Sequence, residues 1–351
     1  MKKIAYLTGT RAEFGLMKSI LQAIEEDKRL ELKLLVTGMH LMDEFGQTIS
    51  EVDKEFKVDK VIETVFVKDN RESMARFVGK CIAGTVEALI KLKPDVVMVL
   101  GDRGEQLAMA TAAAYLATPI VHLHGGEETT TVDDKARNAI SKLSDWHLAA
   151  SKGAKKKLIK MGIDKKKIKI VGAPGLDQAR KLKLADKKDL IVVLQHPDEN
   201  ESKANQQIRK TLEAVMKFKL GVKIIYPNAD AGGRRMIEVI KEYAKKYPKL
   251  IETFKSIKRE QFLRLLARAR VLIGNSSAGL IESPALELAV VNVGPRQKGR
   301  ERAKNVIDVS YKTKAIEKAI RKALGMKLQK IKNPYGDGKT TERVIKFLKR
   351  L

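Results

Sequence analysis

The sequence predicts an α/β fold built as two Rossmann-like domains that face each other across a cleft. Three observations carry that prediction. Short β-branched apolar runs alternate with helix-patterned segments from Ile4 onward, as βαβ units and parallel sheets require. The alternation breaks once, between Gly172 and Asp189, where Gly172, Pro174 and Gly175 lead into a charged stretch, and it restarts at Leu190. At 351 residues the chain is too long for one ordinary core and comfortable for two.

In the first half the predicted strands are Ile4–Thr8, Leu32–Val36, Val61–Val65, Val96–Leu100, Ile120–Leu123, Trp146–Ala149 and Ile168–Val171, with helices between most of them. The second half predicts strands at Leu190–Leu194, Val222–Tyr226, Leu250–Thr253, Val271–Ile273, Val290–Val293 and Val306–Val309. Residues 1–175 and 176–340 are therefore expected to form separate domains. Two such sheets across a cleft make the arrangement known as GT-B, one of several architectures the pattern allows. No short-period repeat or low-complexity tract interrupts it.

Composition narrows the function. No apolar run approaches the roughly 20 residues that span a bilayer, so no membrane role is expected. No apolar leader follows Met1 and Cys81 is the single cysteine, which together predict a cytoplasmic protein without a disulfide framework. The net charge of +27 invites a nucleic-acid reading. Its densest runs, Lys155–Lys157 and Lys165–Lys167, flank an amphipathic helix and do not alternate with stacking aromatics. A solvated basic surface that attracts anionic substrates is the better account, and nucleic acid is not the expected partner.

The chemistry gathers at strand ends, which in an open α/β sheet face the ligand crevice. Gly9-Thr10-Arg11-Ala12-Glu13 follows the first strand and opens a helix, offering backbone N–H groups and a guanidinium to an anion; a plain strand-to-helix turn is the alternative. It lacks the G-x-G-x-x-G spacing, which disfavours a dinucleotide. Asp102, after the strand Val96–Leu100, is either a crevice carboxylate or a helix N-cap.

The segment His122–Arg137, HLHGGEETTTVDDKAR, is the richest of all. His124, Glu127, Asp133 and Asp134 are candidates for proton transfer there, and Arg137 for holding a carboxylate or sugar group. His122 and His124 alternate at a strand end and should point to the same side. Metal ligation by these histidines is the rival, but no other His or Cys is near in sequence, so no metal is expected.

In the second half Gly274-Asn275-Ser276-Ser277-Ala278-Gly279 follows a strand and opens a helix interrupted at Pro284. Small residues there let N–H groups and the hydroxyls of Ser276 and Ser277 close on a diphosphate, unless Ser merely caps the helix. Glu282 is placed to reach a ribose diol. His196, at the end of Leu190–Leu194, should face the cleft opposite the acidic loop, although a lone His is often structural.

Taken together the motifs resemble the UDP-N-acetylglucosamine 2-epimerase superfamily, in its hydrolysing, sialic-acid-pathway branch, over almost the whole length. They are GTRAEFG at Gly9, LGDRGE at Leu100, HLHGGE at His122, TVDDKAR at Thr131, GAPGLD at Gly172, LQHP at Leu194, YPNADAGG at Tyr226, IGNSSAG at Ile273, NVGPRQKGRE at Asn292 and NPYGDG at Asn333. The resemblance implies the GT-B fold and a UDP-sugar substrate. UDP is eliminated to leave a 2-acetamidoglucal, and water then adds to give N-acetylmannosamine, with neither cofactor nor metal.

It also implies that Asp102, Glu127 and Asp133 are active-site acids, that Arg11, His196, Ser276, Ser277 and Glu282 surround the diphosphate and ribose, and that Asn228 and Arg296 are further cleft residues. A homo-oligomer, most simply a dimer, and a C-terminal helix over 341–351 packing back on the first domain are further expectations. The chain departs from the family in carrying His124 where some members have glutamate, and in Asn138 and Asp145, where related sequences have other residues. A non-hydrolysing epimerase, a hydrolysing one acting on a GDP-linked or diacetamido sugar, and a GT-B glycosyltransferase remain the alternatives.

Overall fold

In the computed structural model, which describes residues 1–184, 186, 187 and 189–351, the apolar runs form two all-parallel sheets. The first has seven strands: β1 (Lys2–Thr8), β2 (Leu30–Val36), β3 (Val58–Val61), β4 (Val96–Leu100), β5 (Ile120–Leu123), β6 (Trp146–Ala149) and β7 (Ile168–Ile170), in the order β3-β2-β1-β4-β5-β6-β7. Its helices are α1 (Arg11–Glu26), α2 (Ile49–Asp53), α3 (Arg71–Leu92), α4 (Gly104–Tyr115), α5 (Val132–Leu143) and α6 (Lys152–Lys160). The second has six strands: β8 (Leu190–Leu194), β9 (Gly221–Ile225), β10 (Ile251–Phe254), β11 (Val271–Gly274), β12 (Ala289–Val293) and β13 (Val306–Val309), ordered β10-β9-β8-β11-β12-β13. Around it and the crossing segments lie α7 (Gly175–Ala179), α8 (Ala204–Met216), α9 (Gly233–Lys246), α10 (Arg259–Arg268), α11 (Ala278–Ile281), α12 (Thr313–Leu324) and α13 (Thr340–Leu348).

Strands buried on both faces read as unbroken apolar runs, which is why β4, β8 and β12 were legible. Helix starts follow from side-chain caps: Thr10, Asn70, Thr131 and Ser151 accept a backbone N–H at the starts of α1, α3, α5 and α6, each worth about 1 kcal/mol. Helix α3 stops where Lys93 turns left-handed before Pro94. Each sheet is sandwiched between two apolar layers. Ile4, Tyr6, Met17 and Leu34 fill one face of the first sheet, and Leu7, Leu35, Val97 and Met109 the other. Among the described residues no helix is long and apolar enough to cross a membrane.

The predicted strand Val61–Val65 is corrected: pairing with β2 ends at Val61, after a bulge between Leu34 and Leu35, with one further bond from Ile62 N to the Val36 carbonyl. The following residues leave the sheet because Phe66 is drawn into an apolar cluster with Phe45, Phe77 and Ile237, the last from the second half. Ala185 and Lys188, inside the predicted Gly172–Asp189 linker, lie outside the described residues.

The chain crosses between the sheets twice, around Gly172 and around Tyr335. The Ala173 N–H donates to the Tyr335 carbonyl at 2.9 Å. Gly172 has φ +94°, and a Cβ there would sit 2.9 Å from Thr340 Oγ1 and 3.2 Å from the Tyr335 carbonyl, so only glycine allows the crossing. Beyond it the Asp177 carboxylate accepts the N–H groups of Thr340 and Thr341, at 2.9 and 2.6 Å, and caps α13. Val344 and Leu348 of that helix then pack with Met17, Leu21 and Ile4 of the first half.

Strand order reverses between β1 and β4 and again between β8 and β11. At such switch points the following loops diverge and leave a crevice beyond the carboxyl ends of the strands. The two crevices face each other, and the site lies between them.

Candidate active site

One cavity of about 270 Å³ fills the space between the switch points. Thr10, Arg11 and Glu13 line it from the end of β1, Asp102 and Arg103 from β4, and His124, Thr129 and Asp133 from the loop after β5. Across from them stand His196 after β8, Tyr226 and Asn228 after β9, Ser276 and Ser277 after β11, Glu282, and Arg296 and Arg300 after β12.

Among the acids, Asp133 reaches across the cleft to Arg296 at 3.3 Å. Burial raises its pKa, against the pull of Arg296, and Asp230 adds to the rise, so this carboxylate is a better proton acceptor than an exposed aspartate. Asp102 is not a helix cap: Arg103 occupies the cap position of α4, and the Asp102 carboxylate pairs with the guanidinium of Arg137. His124 has φ +63°, a left-handed conformation rare outside glycine.

That backbone twist corrects the expectation that His122 and His124 share a side. His122 is fully buried, with Nε2 2.8 Å from the Gly101 carbonyl and Nδ1 3.1 Å from Ser141 Oγ; burial lowers its pKa to about 3. It braces the β4 and α5 ends. His124 instead faces the cavity, 3.7 Å from Glu127.

Three residues predicted to be catalytic, Glu127, Asp134 and Arg137, do not line the cavity and make contacts behind its wall. Burial alone would raise Glu127, but Arg300 at 2.7 Å, His124 and Lys157 together outweigh it and hold the carboxyl at about 2, so it stays an anion at neutral pH. Arg137 has no exposed side-chain surface; besides Asp102 it serves the Glu127 carbonyl at 3.0 Å and Asp134 at 3.3 Å. Asp134 accepts from Thr129 N and Asn138 Nδ2 and ties the loop to α5. Asp145, the other departure, accepts the Ile120 N–H at 2.9 Å.

Part of the predicted anion site at the start of α1 is taken by the chain's own side chains. The Glu13 carboxylate accepts from Gly9 N at 3.0 Å and from the Tyr6 hydroxyl, while Arg11 pairs with Glu51 through Nε at 2.8 Å. Burial pushes Glu13 up to about 7, overriding the lowering effect of those hydrogen bonds. Arg11 still borders the cavity.

In the second half, burial drives His196 down to about 3, with Arg296 adding to the effect, so the ring is neutral. Its Nδ1 accepts the Asn228 N–H at 3.2 Å, which leaves the proton on Nε2. With Nδ1 already accepting, the ring can offer the cavity that it lines only a donor, the Nε2–H. Asn275 holds the same turn, accepting His196 N at 2.7 Å. Gly274, at φ +133°, brings the Ser276–Ser277 turn against β8: a Cβ there would lie 2.1 Å from the Leu194 carbonyl. Ser277 makes no capping bond, so its hydroxyl is available to a ligand. Glu282 is buried and held by Arg259 at 2.7 Å.

Arg103, Asp230, Arg259, Arg300 and Glu13 were not predicted as site residues. Arg103 is the most consequential: burial opposes its charge, but Glu105 at 3.2 Å and Asp230 at 3.7 Å, from opposite halves, outweigh burial and strengthen it. Arg103, Glu13, Asp230 and Arg300 lie inside motifs already quoted, three to seven residues after strand ends, whereas Arg259 opens α10 with no local signal. Among the described residues no three His, Cys, Asp or Glu side chains are arranged to hold a metal ion.

The sequence profile of the family described as UDP-N-acetylglucosamine 2-epimerase matches residues 22–349. The UDP-N,N'-diacetylbacillosamine 2-epimerase (hydrolyzing) of Legionella pneumophila is 40% identical over 365 residues, covering 100% of this chain and 96% of that protein. The UDP-N-acetylglucosamine 2-epimerase of Neisseria meningitidis serogroup B is 34% identical, covering 99% and 94%. In fold, the crystal structure of the Methanocaldococcus jannaschii UDP-GlcNAc 2-epimerase with UDP-GlcNAc and UDP superposes with a TM-score of 0.81 at 21% identity, over 99% of this chain and 100% of that one.

Proposed function

The chain belongs to the UDP-N-acetylglucosamine 2-epimerase family, and from that premise we propose that it is a hydrolysing 2-epimerase of a UDP-linked 2-acetamido sugar, converting UDP-N-acetylglucosamine and water to N-acetylmannosamine and UDP. The supporting observation is the cavity itself, which joins proton-transfer groups of one sheet, Asp102, His124 and Asp133, to anion-binding groups of the other, Ser276, Ser277, His196 and Arg296.

Asp133 takes the proton from carbon 2. The bond from carbon 1 to the diphosphate oxygen breaks, and its electron pair leaves with UDP. Charge growing on that oxygen meets Arg103, Arg296, the two serine hydroxyls and the Nε2–H of His196, donors held in place before the reaction. Water then adds: its oxygen bonds to carbon 1 of the glycal and gives up one proton to solvent, while a solvent-derived proton is delivered to carbon 2 from the opposite face, giving the inverted configuration. His124 is the second proton-transfer candidate on the wall, and Asp102 is held there by Arg137. Glu282 suits a ribose diol, with Arg11 and Asn228 bordering the same nucleotide.

A 2,4-diacetamido sugar is the second reading, favoured because the Legionella relative, at 40% identity, is more similar to this chain than the Neisseria one at 34%. Incubation with each UDP-sugar in deuterated water, followed by NMR, tests both. Free 2-epimer carrying deuterium at carbon 2, plus UDP, is expected. Intact UDP-linked 2-epimer would instead mean a non-hydrolysing epimerase, and no turnover until an acceptor is supplied would mean a glycosyltransferase.

A further inference from the structure

We propose that Asp69, which does not border the cavity, is a positioning residue for the reaction: it caps helix α9 of the opposite half and so holds the 226–232 loop in its ligand-facing form. Only the kinetic readout of this proposal rests on the activity proposed above.

Helix α9 begins after Gly232, which has φ +91° and no side chain to cap the helix. The first N–H groups of any helix need acceptors from outside it. Asp69 supplies them from the other half: Oδ1 accepts Gly232 N at 2.7 Å, and Oδ2 accepts Arg235 N at 3.4 Å, with Arg235 Nε 3.8 Å away. A cap residue normally sits beside its helix in sequence, whereas this one arrives from 163 residues away.

Neighbouring contacts make residues 66–69 a strap across the mouth of the cleft. The Phe66 carbonyl accepts from Arg234 Nη2 at 2.9 Å, and Phe66 stacks on Phe77 at 4.0 Å within the cluster that covers Ala229 and Ile237. The cap therefore exists only while the two halves are together.

What it holds is the loop that feeds the cavity. Asn228 N donates to His196 Nδ1 and sets its tautomer, and Asp230 stands 3.7 Å from Arg103. The loop and helix start are wedged: a Cβ on Gly233 would meet the Asn228 carbonyl at 2.3 Å, so freeing the α9 start displaces Asn228 as well. Closure, capping and the placement of Asn228 and Asp230 are thereby one event.

The test uses Asp69→Ala and Asp69→Asn in the full chain, each alone and with Asp230→Ala, which removes the loop's contact to Arg103, measuring kcat/KM on the UDP-sugars and UDP affinity by calorimetry. Loss of a typical cap corresponds to about a fivefold change. Asp69→Ala should lower kcat/KM and weaken UDP binding by about that factor, Asp69→Asn, which keeps an acceptor oxygen, by less than about twofold. In the Asp230→Ala background the Asp69→Ala effect should shrink. Unchanged kcat/KM and UDP affinity in Asp69→Ala, or the same loss in both backgrounds, would overturn the proposal. If the native protein turns over neither sugar nucleotide, the activity assignment fails, and the UDP-affinity arm alone decides the role of Asp69.

Discussion

Replacing Asp133 by Asn leaves the shape of the cavity wall and removes its proton acceptor. The amide keeps an oxygen for Arg296, now 3.3 Å from the carboxylate, and the Thr131 hydroxyl that caps α5 accepts from the residue 133 backbone, which the substitution does not touch. Binding should therefore change little. The chemical step should not survive as well, because a positioned proton-transfer group contributes roughly 10²- to 10⁴-fold, or about 3–5 kcal/mol of barrier. The expected result for Asp133→Asn is a fall of that size in kcat and in deuterium incorporation at carbon 2, with UDP affinity by calorimetry altered less than about tenfold. Burial has raised the Asp133 carboxyl, so the acid limb of kcat in the native enzyme should lie above the ordinary aspartate range. Near-normal carbon-2 exchange in Asp133→Asn would remove this residue from proton transfer and pass the role to His124.

Stability should drop steeply on mild acidification. Burial lowers His40, His122 and His196 to about 3 and His147 to about 4, so below pH 6.5 the unfolded chain takes up four protons that the fold refuses, and stability falls with pH. Glu13, raised to about 7, acts oppositely, binding a proton in the fold between pH 7 and its unfolded value of 4.5. The net of about three protons near pH 5.5 gives a slope of roughly 4 kcal/mol per pH unit. Denaturant titrations at pH 7.5, 6.5 and 5.5 would show it, and a flat profile would contradict the buried neutral histidines. Gly274→Ala, which puts a Cβ 2.1 Å from the Leu194 carbonyl at a φ of +133°, should cost more than about 2 kcal/mol and abolish UDP binding; calorimetry and a thermal melt check both, and native-like UDP affinity would show that the Ser276 turn tolerates displacement.

Much of the fold could be read because each strand carries its own signal. A β4 or β12 buried on both faces has to be an uninterrupted apolar run, and Gly, Ser or Asp must follow where the chain turns into a helix. Strand β3 failed on the same logic: Val61–Val65 has the residue types of a strand, but Phe66 gains more from the inter-half cluster than from extending the sheet edge.

The sequence by itself determined that acids follow β4 and β5, that a small-residue turn follows β11, and that such strand ends face a crevice, since strands and the turns that end them are local consequences of residue type. Tertiary structure alone decided which of the clustered charges face the cavity. Burial and partners are set by chain segments far apart in sequence: Arg300 helps keep Glu127 anionic, Asn228 sets the tautomer of His196, Glu13 takes part of the helix start that looked open, and a left-handed backbone turns His124 toward the cavity while His122 stays in the core. A charge becomes reactive or structural according to the dielectric and counter-charges around it, and only the folded chain supplies those.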